Sequence, residues 1–241
     1  MTGTGIEPQL TLDLFSAATQ GFDSFHPDGN NQSVQAVKDW SAGRGPGVLY
    51  LWGAAGTGKS HMLQAAIKAA PLRAIYVPIK EIVSAGAEIL ADLDSLDLVA
   101  LDDVDLCSGD RQWEQRLFGL YNESQAAGRR LLMASRRSPA SKPFELEDLA
   151  SRMQASLVYQ LRELSERGKV EALRLGAGRR GLEIPESTLH FIMYRERRDM
   201  TTLSSLLDLL DVASLSRGRL LTVPFVREVL ARRGDTPDQD D

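Results

Sequence analysis

Between Gly53 and Ser60 the chain reads GAAGTGKS, and Gly53, Gly58, Lys59 and Ser60 fit the spacing G-x-x-x-x-G-K-[ST], with a further glycine, Gly56, inside it. Glycines so placed let backbone N–H groups converge on a phosphate at a helix N-terminus. The expected cradle runs through Gly53, Ala54, Ala55, Gly56, Thr57, Gly58, Lys59, Ser60 and His61. Lys59 would reach the terminal phosphates as a point charge, and the Ser60 hydroxyl would ligate Mg2+. Such a loop needs a metal-holding acid on a neighbouring strand, and LVALDDV supplies Asp102 and Asp103 at the end of an apolar run. Asp102 is assigned to the magnesium shell, and Asp103 to orienting or polarising an attacking water.

The elements that must hold these groups follow from the periodicity. GVLYLW, from Gly47, is a β-rich run that leads into the glycine loop, and Leu63, Ala66, Ile67 and Ala70 then form a helical stripe stopped by Pro71. AIYVPI reads as a strand, KEIVSAGAEILADL as a helix, LDLVALDDV as a strand and RQWEQRLFGLYNESQA as a helix. RRLLMAS is the next strand, followed by a helix around LEDLASRM and the strand LVYQL. Strands apolar on both faces and alternating with helices imply a parallel sheet between helical layers, an α/β fold. After about Leu164 only helices are expected, with Asp199 as the N-cap of a stripe of Leu203, Leu206, Leu207 and Leu210. Phe225, Val226, Val229 and Leu230 form another stripe behind Pro224. The expected division is a tail over 1–20, an αβα nucleotide-binding domain over 21–164, a helical lid over 165–233 and a disordered acidic tail over 234–241.

Composition limits the function. The chain of 241 residues is 43% hydrophobic and 25% charged, which suits a soluble globular protein. It has one cysteine, Cys107, and lacks a leader-like start or an apolar run near the roughly 18 residues that span a bilayer. A cytoplasmic protein without membrane contact is expected. The formal charge of −5 argues against autonomous tight binding to nucleic acid, whose affinity is mostly phosphate neutralisation.

The order of parts, phosphate loop, paired acids, a further strand, then a helical lid, is that of AAA+ ATPases. FDSFHPDGNNQSVQAV, GAAGTGKSHMLQAA, LVALDDVDLCSGDRQWEQRLFGLYN and LASRM make the chain resemble the DnaA/Hda family of AAA+ proteins, and its short Hda branch more closely, from Phe22 to Ala231. The resemblance implies an AAA+ P-loop αβα sandwich with a small helical lid, holding ADP (or ATP) with Mg2+. The chain stops soon after the lid, so a helix-turn-helix domain is not expected. In the Hda branch the implied role is negative regulation of replication initiation, by stimulating hydrolysis of initiator-bound ATP. The catalytic push comes in trans from an arginine finger, which LASRM places at Arg152.

Two positions depart from the family pattern. The lid arginine that senses the γ-phosphate is replaced by Thr201, and the usually acidic strand-end sensor falls at Arg136, with Ser135 beside it as a substitute. Both losses imply that the chain's own ATP hydrolysis is slow or absent. Near the start, QLTLDLF is similar to the peptides by which bacterial replication proteins dock on the β sliding clamp, with Gln9 fixing register and Leu10, Leu12, Leu14 and Phe15 offering apolar contact. The partners implied are the clamp and DnaA, with DNA met only through the clamp; homo-oligomerisation is left open. An autonomous AAA+ enzyme such as a helicase loader, and a non-catalytic clamp–initiator adaptor, are the alternatives.

Overall fold

A computed structural model describes residues 20–217 and 220–234; the heptad Gln9–Phe15 and the acidic stretch from residue 235 lie outside the described residues. The chain divides into two compact units, one of residues 1–23 and 29–163, the other of residues 24–28 and 164–241.

In the first unit, Val48–Trp52 (β1), Ala74–Pro78 (β2), Leu98–Asp102 (β3), Arg130–Ser135 (β4) and Leu157–Gln160 (β5) form one parallel sheet in the order β2-β3-β4-β1-β5. Val48, Tyr50, Val77, Val99, Leu101, Leu131 and Met133 enter one core, while the intervening Leu49, Leu51, Leu98, Ala100, Leu132 and Ala134 are buried as well. A strand so lined must be covered on both faces. Asn31–Ser41 (α1) and Lys59–Ala69 (α2) pack together, α2 lying against β2, β3 and β4. Arg111–Ala126 (α4) and Glu147–Ala155 (α5) supply Trp113, Leu117, Leu120, Leu149 and Met153 to the first core. Asp110 starts α4 as its N-cap, its Oδ1 accepting the N–H groups of Gln112 at 2.9 Å and Trp113 at 3.2 Å.

One expected element is different. Lys80 to Leu93 does not form a single helix: a one-turn helix, Ile79–Ile82 (α3), passes into 3-10 turns at Val83–Ala85 and Ala87–Ser95. Gly86 between them has φ +95° and ψ 156°, outside any helical region. The buried groups that follow, Ala87, Leu90 and Leu93, recur every third residue. A 3-10 helix aligns that spacing on one face, whereas an α-helix would splay it.

The second unit consists of Glu166–Arg179 (α6), Glu186–Arg195 (α7), Met200–Arg217 (α8) and Val223–Gly234 (α9), with residues 24–28. Its core holds both expected stripes, Leu203, Leu206, Leu207 and Leu210 with Phe225, Val226 and Val229. Ser165 caps α6 by accepting the Gly168 N–H, and Asp28 accepts the N–H of Ser165. Among the described residues no helix is long and apolar enough to cross a membrane.

Candidate functional site

The strand order puts β1 between β4 and β5, so the loop after β1 leaves the sheet where the chain's direction of winding reverses, the usual place for a ligand in an open parallel sheet. Trp52 lies opposite Ser135, and Leu101 opposite Met133, so the carboxyl ends of β1, β3 and β4 deliver Gly53, Asp102 and Arg136 to one edge. The loop is held closely. A Cβ on Gly53 would lie 2.4 Å from the Leu161 carbonyl oxygen, so only glycine fits there. Gly58 is the N-cap of α2 at φ +90°, which turns the following N–H groups outward at the helix start. Thr57 is buried and donates its hydroxyl to Ala54 O at 2.9 Å, closing the loop on itself.

Lys59 is buried, and its Nζ donates to Gly53 O at 2.8 Å and Ala54 O at 2.9 Å. Burial pulls its pKa below 10.5, while Asp102, Asp103 and Asp105 oppose that pull and favour the charged form. Asp102 is 2% exposed. Its Oδ2 accepts the Tyr76 hydroxyl at 2.8 Å and its Oδ1 accepts the Asp103 N–H at 3.0 Å. Asp103 turns the chain out of β3 in the left-handed region, φ 55° and ψ 40°. Burial first, then the Asp102 charge, raise the Asp103 pKa above 3.8.

The side chains of Ser60 and Gln64 also lie beside the Tyr76 hydroxyl. Ser60 and Asp102 therefore flank one hydroxyl. That arrangement suits an Mg2+ that Ser60 would hold, with Asp102 reaching its water shell. Tyr76 escaped sequence reasoning because it reads as an ordinary aromatic of a buried strand; only the pairing of β2 with β3, Pro78 opposite Asp102, brings it here.

The remaining groups have distinct surroundings. His61 Nε2 lies 2.9 Å from Gly21 O, and since a carbonyl only accepts, that nitrogen carries the proton. Its ring ties the segment before α1 to α2. Arg136 pairs with Asp105, whose side chain is 6% exposed: Oδ2 accepts Nε at 3.1 Å and Oδ1 the backbone N–H at 3.0 Å. Ser135 is buried at the end of β4, with Oγ accepting the Arg137 N–H at 2.9 Å. Thr201 lies exposed in the first turn of α8 in the second unit. Arg152 stands exposed on α5, its guanidinium carbon 6.0 Å from the centre of the Tyr121 ring. Among the described residues it forms no ion pair, although Glu147 and Asp148 share its helix.

The family model of the bacterial DnaA ATPase domain matches residues 17–161, and that of the Hda lid domain matches residues 166–230. Domain III of the Thermotoga maritima replication initiation protein DnaA superposes with a TM-score of 0.74 at 23% identity, over 88% of this chain and 95% of that one. AMPPCP-bound DnaA from Aquifex aeolicus gives 0.61 at 21% identity, over 86% of this chain and 67% of that one. The Thermotoga maritima Holliday junction branch migration motor RuvB gives 0.65 at 15% identity, over 90% and 72%. At these identities the structural likenesses establish the AAA+ fold, a parallel sheet with its helices and a helical lid. The match over more than half of the sequence establishes the rest: the chain belongs to the bacterial DnaA ATPase family of AAA+ proteins, and it carries a lid of the Hda type.

Proposed function

We propose that this protein is a negative regulator of replication initiation that holds ADP, or ATP, with Mg2+, docks on the β sliding clamp through Gln9, Leu10, Leu12, Leu14 and Phe15, and uses Arg152 to stimulate hydrolysis of ATP bound to DnaA. The observation that carries the reading is the state of Arg152: an exposed guanidinium, unpaired among the described residues, on a short helix of a DnaA-type ATPase domain. Asp148, four residues ahead of Arg152 on α5, has the spacing of a helical ion pair, yet none forms among the described residues. An arginine that must neutralise charge growing on a partner's γ-phosphoryl oxygens has to keep its charge uncompensated.

Within the chain's own loop, Lys59 and the N–H groups around Gly58 would bind and orient the phosphates, and Ser60 with Asp102 would hold Mg2+, which would neutralise phosphate charge. Asp103 would take a hydrogen bond from a water at the loop. Thr201 supplies no cation, and Arg136 is held by Asp105, so nucleotide serves here mainly as a structural ligand.

Clamp loaded on DNA, ATP-bound DnaA and this protein are mixed and ATP loss is followed. Arg152→Ala is expected to abolish stimulation, a loss of roughly 10³-fold or more, while nucleotide binding by the chain itself stays at the wild-type level. Stimulation unchanged by Arg152→Ala would point to a passive adaptor. The complete set of Lys59, Ser60, Asp102 and Asp103 favours a second reading, an autonomous ATPase, and brisk steady-state turnover without DnaA would establish it.

A further inference from the structure

We infer that Tyr121 is the positioning residue of Arg152: its ring face orients the guanidinium that acts on the partner's nucleotide, an inference that rests on the reading of Arg152 as a trans-acting cation. A long, flexible side chain on the surface loses rate if it must find its geometry in each encounter, and an arginine is usually fixed by a carboxylate. That solution is unsuited to a finger, because a paired carboxylate cancels the charge that the transition state needs. An aromatic face attracts a cation through its quadrupole and orients it while leaving the charge in place. Arg152 has this environment, with its guanidinium carbon 6.0 Å from the Tyr121 ring centre and no acid paired to it among the described residues.

The platform under Arg152 is rigid. Tyr121 is buried in the first core, so its ring does not swing with the solvent-facing side chains. Seven residues before it, and so on the same face of α4, Glu114 is 2% exposed and uses both carboxylate oxygens on backbone donors. Oε1 accepts the N–H of Gly109 at 2.9 Å and of Glu145 at 3.1 Å, and Oε2 accepts that of Leu146 at 2.6 Å. Leu146 is the N-cap of α5 and makes no side-chain cap of its own. One face of α4 thus fixes the start of α5 through Glu114 and meets the arginine near its end through Tyr121.

The test compares Tyr121→Phe with Tyr121→Leu in the full chain, with clamp on DNA and ATP-bound DnaA. Tyr121→Phe keeps the ring face and is expected to match the wild type. Tyr121→Leu keeps an apolar group without the face; its maximal stimulated rate is expected to fall about two- to fivefold, the order of an exposed cation–π contact. The protein concentration giving half-maximal stimulation, and the chain's own ADP affinity, are expected to stay unchanged. Loss of rate with both variants, a shift in half-saturation alone, or no loss with Tyr121→Leu while Arg152→Ala is inactive would each overturn the positioning role and leave the finger standing. An active Arg152→Ala would overturn both.

Discussion

Asp102 uses both carboxylate oxygens on the protein itself, so its orientation is set before any ligand arrives. Tyr76→Phe removes one of the two donors and leaves a buried carboxylate oxygen unsatisfied, at a cost of about 1–3 kcal/mol. Because Ser60 lies beside the same hydroxyl, the loss is expected to fall on the metal: ADP affinity measured with Mg2+ drops about tenfold, while affinity in excess EDTA stays at the wild-type value. A fluorescence titration with labelled ADP under both conditions separates this from general loosening of the fold, which would weaken both. Gly53 gives a second case at this scale. A Cβ there would meet the Leu161 carbonyl at 2.4 Å, a backbone atom that cannot yield without moving β5. Gly53→Ala is expected to abolish ADP binding, whereas Gly178→Ala, in α6 with nothing within 4 Å of its Cβ, raises stability by up to about 1 kcal/mol. Calorimetric titration and thermal melting read the two effects separately.

At the scale of elements, α8 shows how one residue begins a helix. Asp199 Oδ1 accepts the Thr202 N–H at 2.8 Å, and the Thr202 hydroxyl donates to Oδ2 at 2.9 Å. Asp199→Ala is expected to cost the second unit about 1 kcal/mol, seen as a lower urea midpoint at pH 7. The Thr202 N–H holds the Asp199 carboxyl below 3.8, so the contribution of its ionised form is whole above 3.8 and lost as pH falls through the depressed folded value. Asp199→Asn retains an N-cap without a titrating proton, and its midpoint is expected to fall less than the wild type's between pH 5 and pH 2. This cap was legible in the sequence, as were the five strands and the glycine loop, because each rests on local chemistry or on a run apolar on both faces. The Lys80–Leu93 stretch departs from the expected helix because its apolar residues at every third place, broken by Gly86, resemble a worn α-helical stripe but form 3-10 turns. Tyr76 and Glu114 were illegible for another reason. A tyrosine in a strand and a glutamate in a polar helix carry no sign of their long-range partners, Asp102 and the N–H groups ahead of α5.

For the molecule as a whole, the question is how a chain of net charge −5 could act beside DNA, where phosphate repels it. A tether answers it without any basic surface. If Gln9–Phe15 docks on a clamp that encircles the duplex, a DnaA bound nearby meets Arg152 at an effective concentration above the bulk concentration. The three leucines bring at most about 1.5–3 kcal/mol each before the segment's ordering cost, so docking on a single clamp site should be of micromolar strength and reversible. Replacing Gln9, Leu12 and Leu14 by alanine should therefore leave the chemistry intact and remove its concentration. At submicromolar protein the variant is expected to lose clamp-dependent stimulation by about 10²-fold. At high protein concentration, or with the clamp omitted, it should match the wild type, and its ADP affinity should not change. The Arg152→Ala variant should show the complementary pattern, retaining clamp binding in a pull-down on loaded DNA while stimulating at no concentration. If the tail variant and the arginine variant fail alike at every concentration, the heptad takes part in the fold or in the DnaA contact, and the tether is the wrong account of how this acidic protein reaches its target.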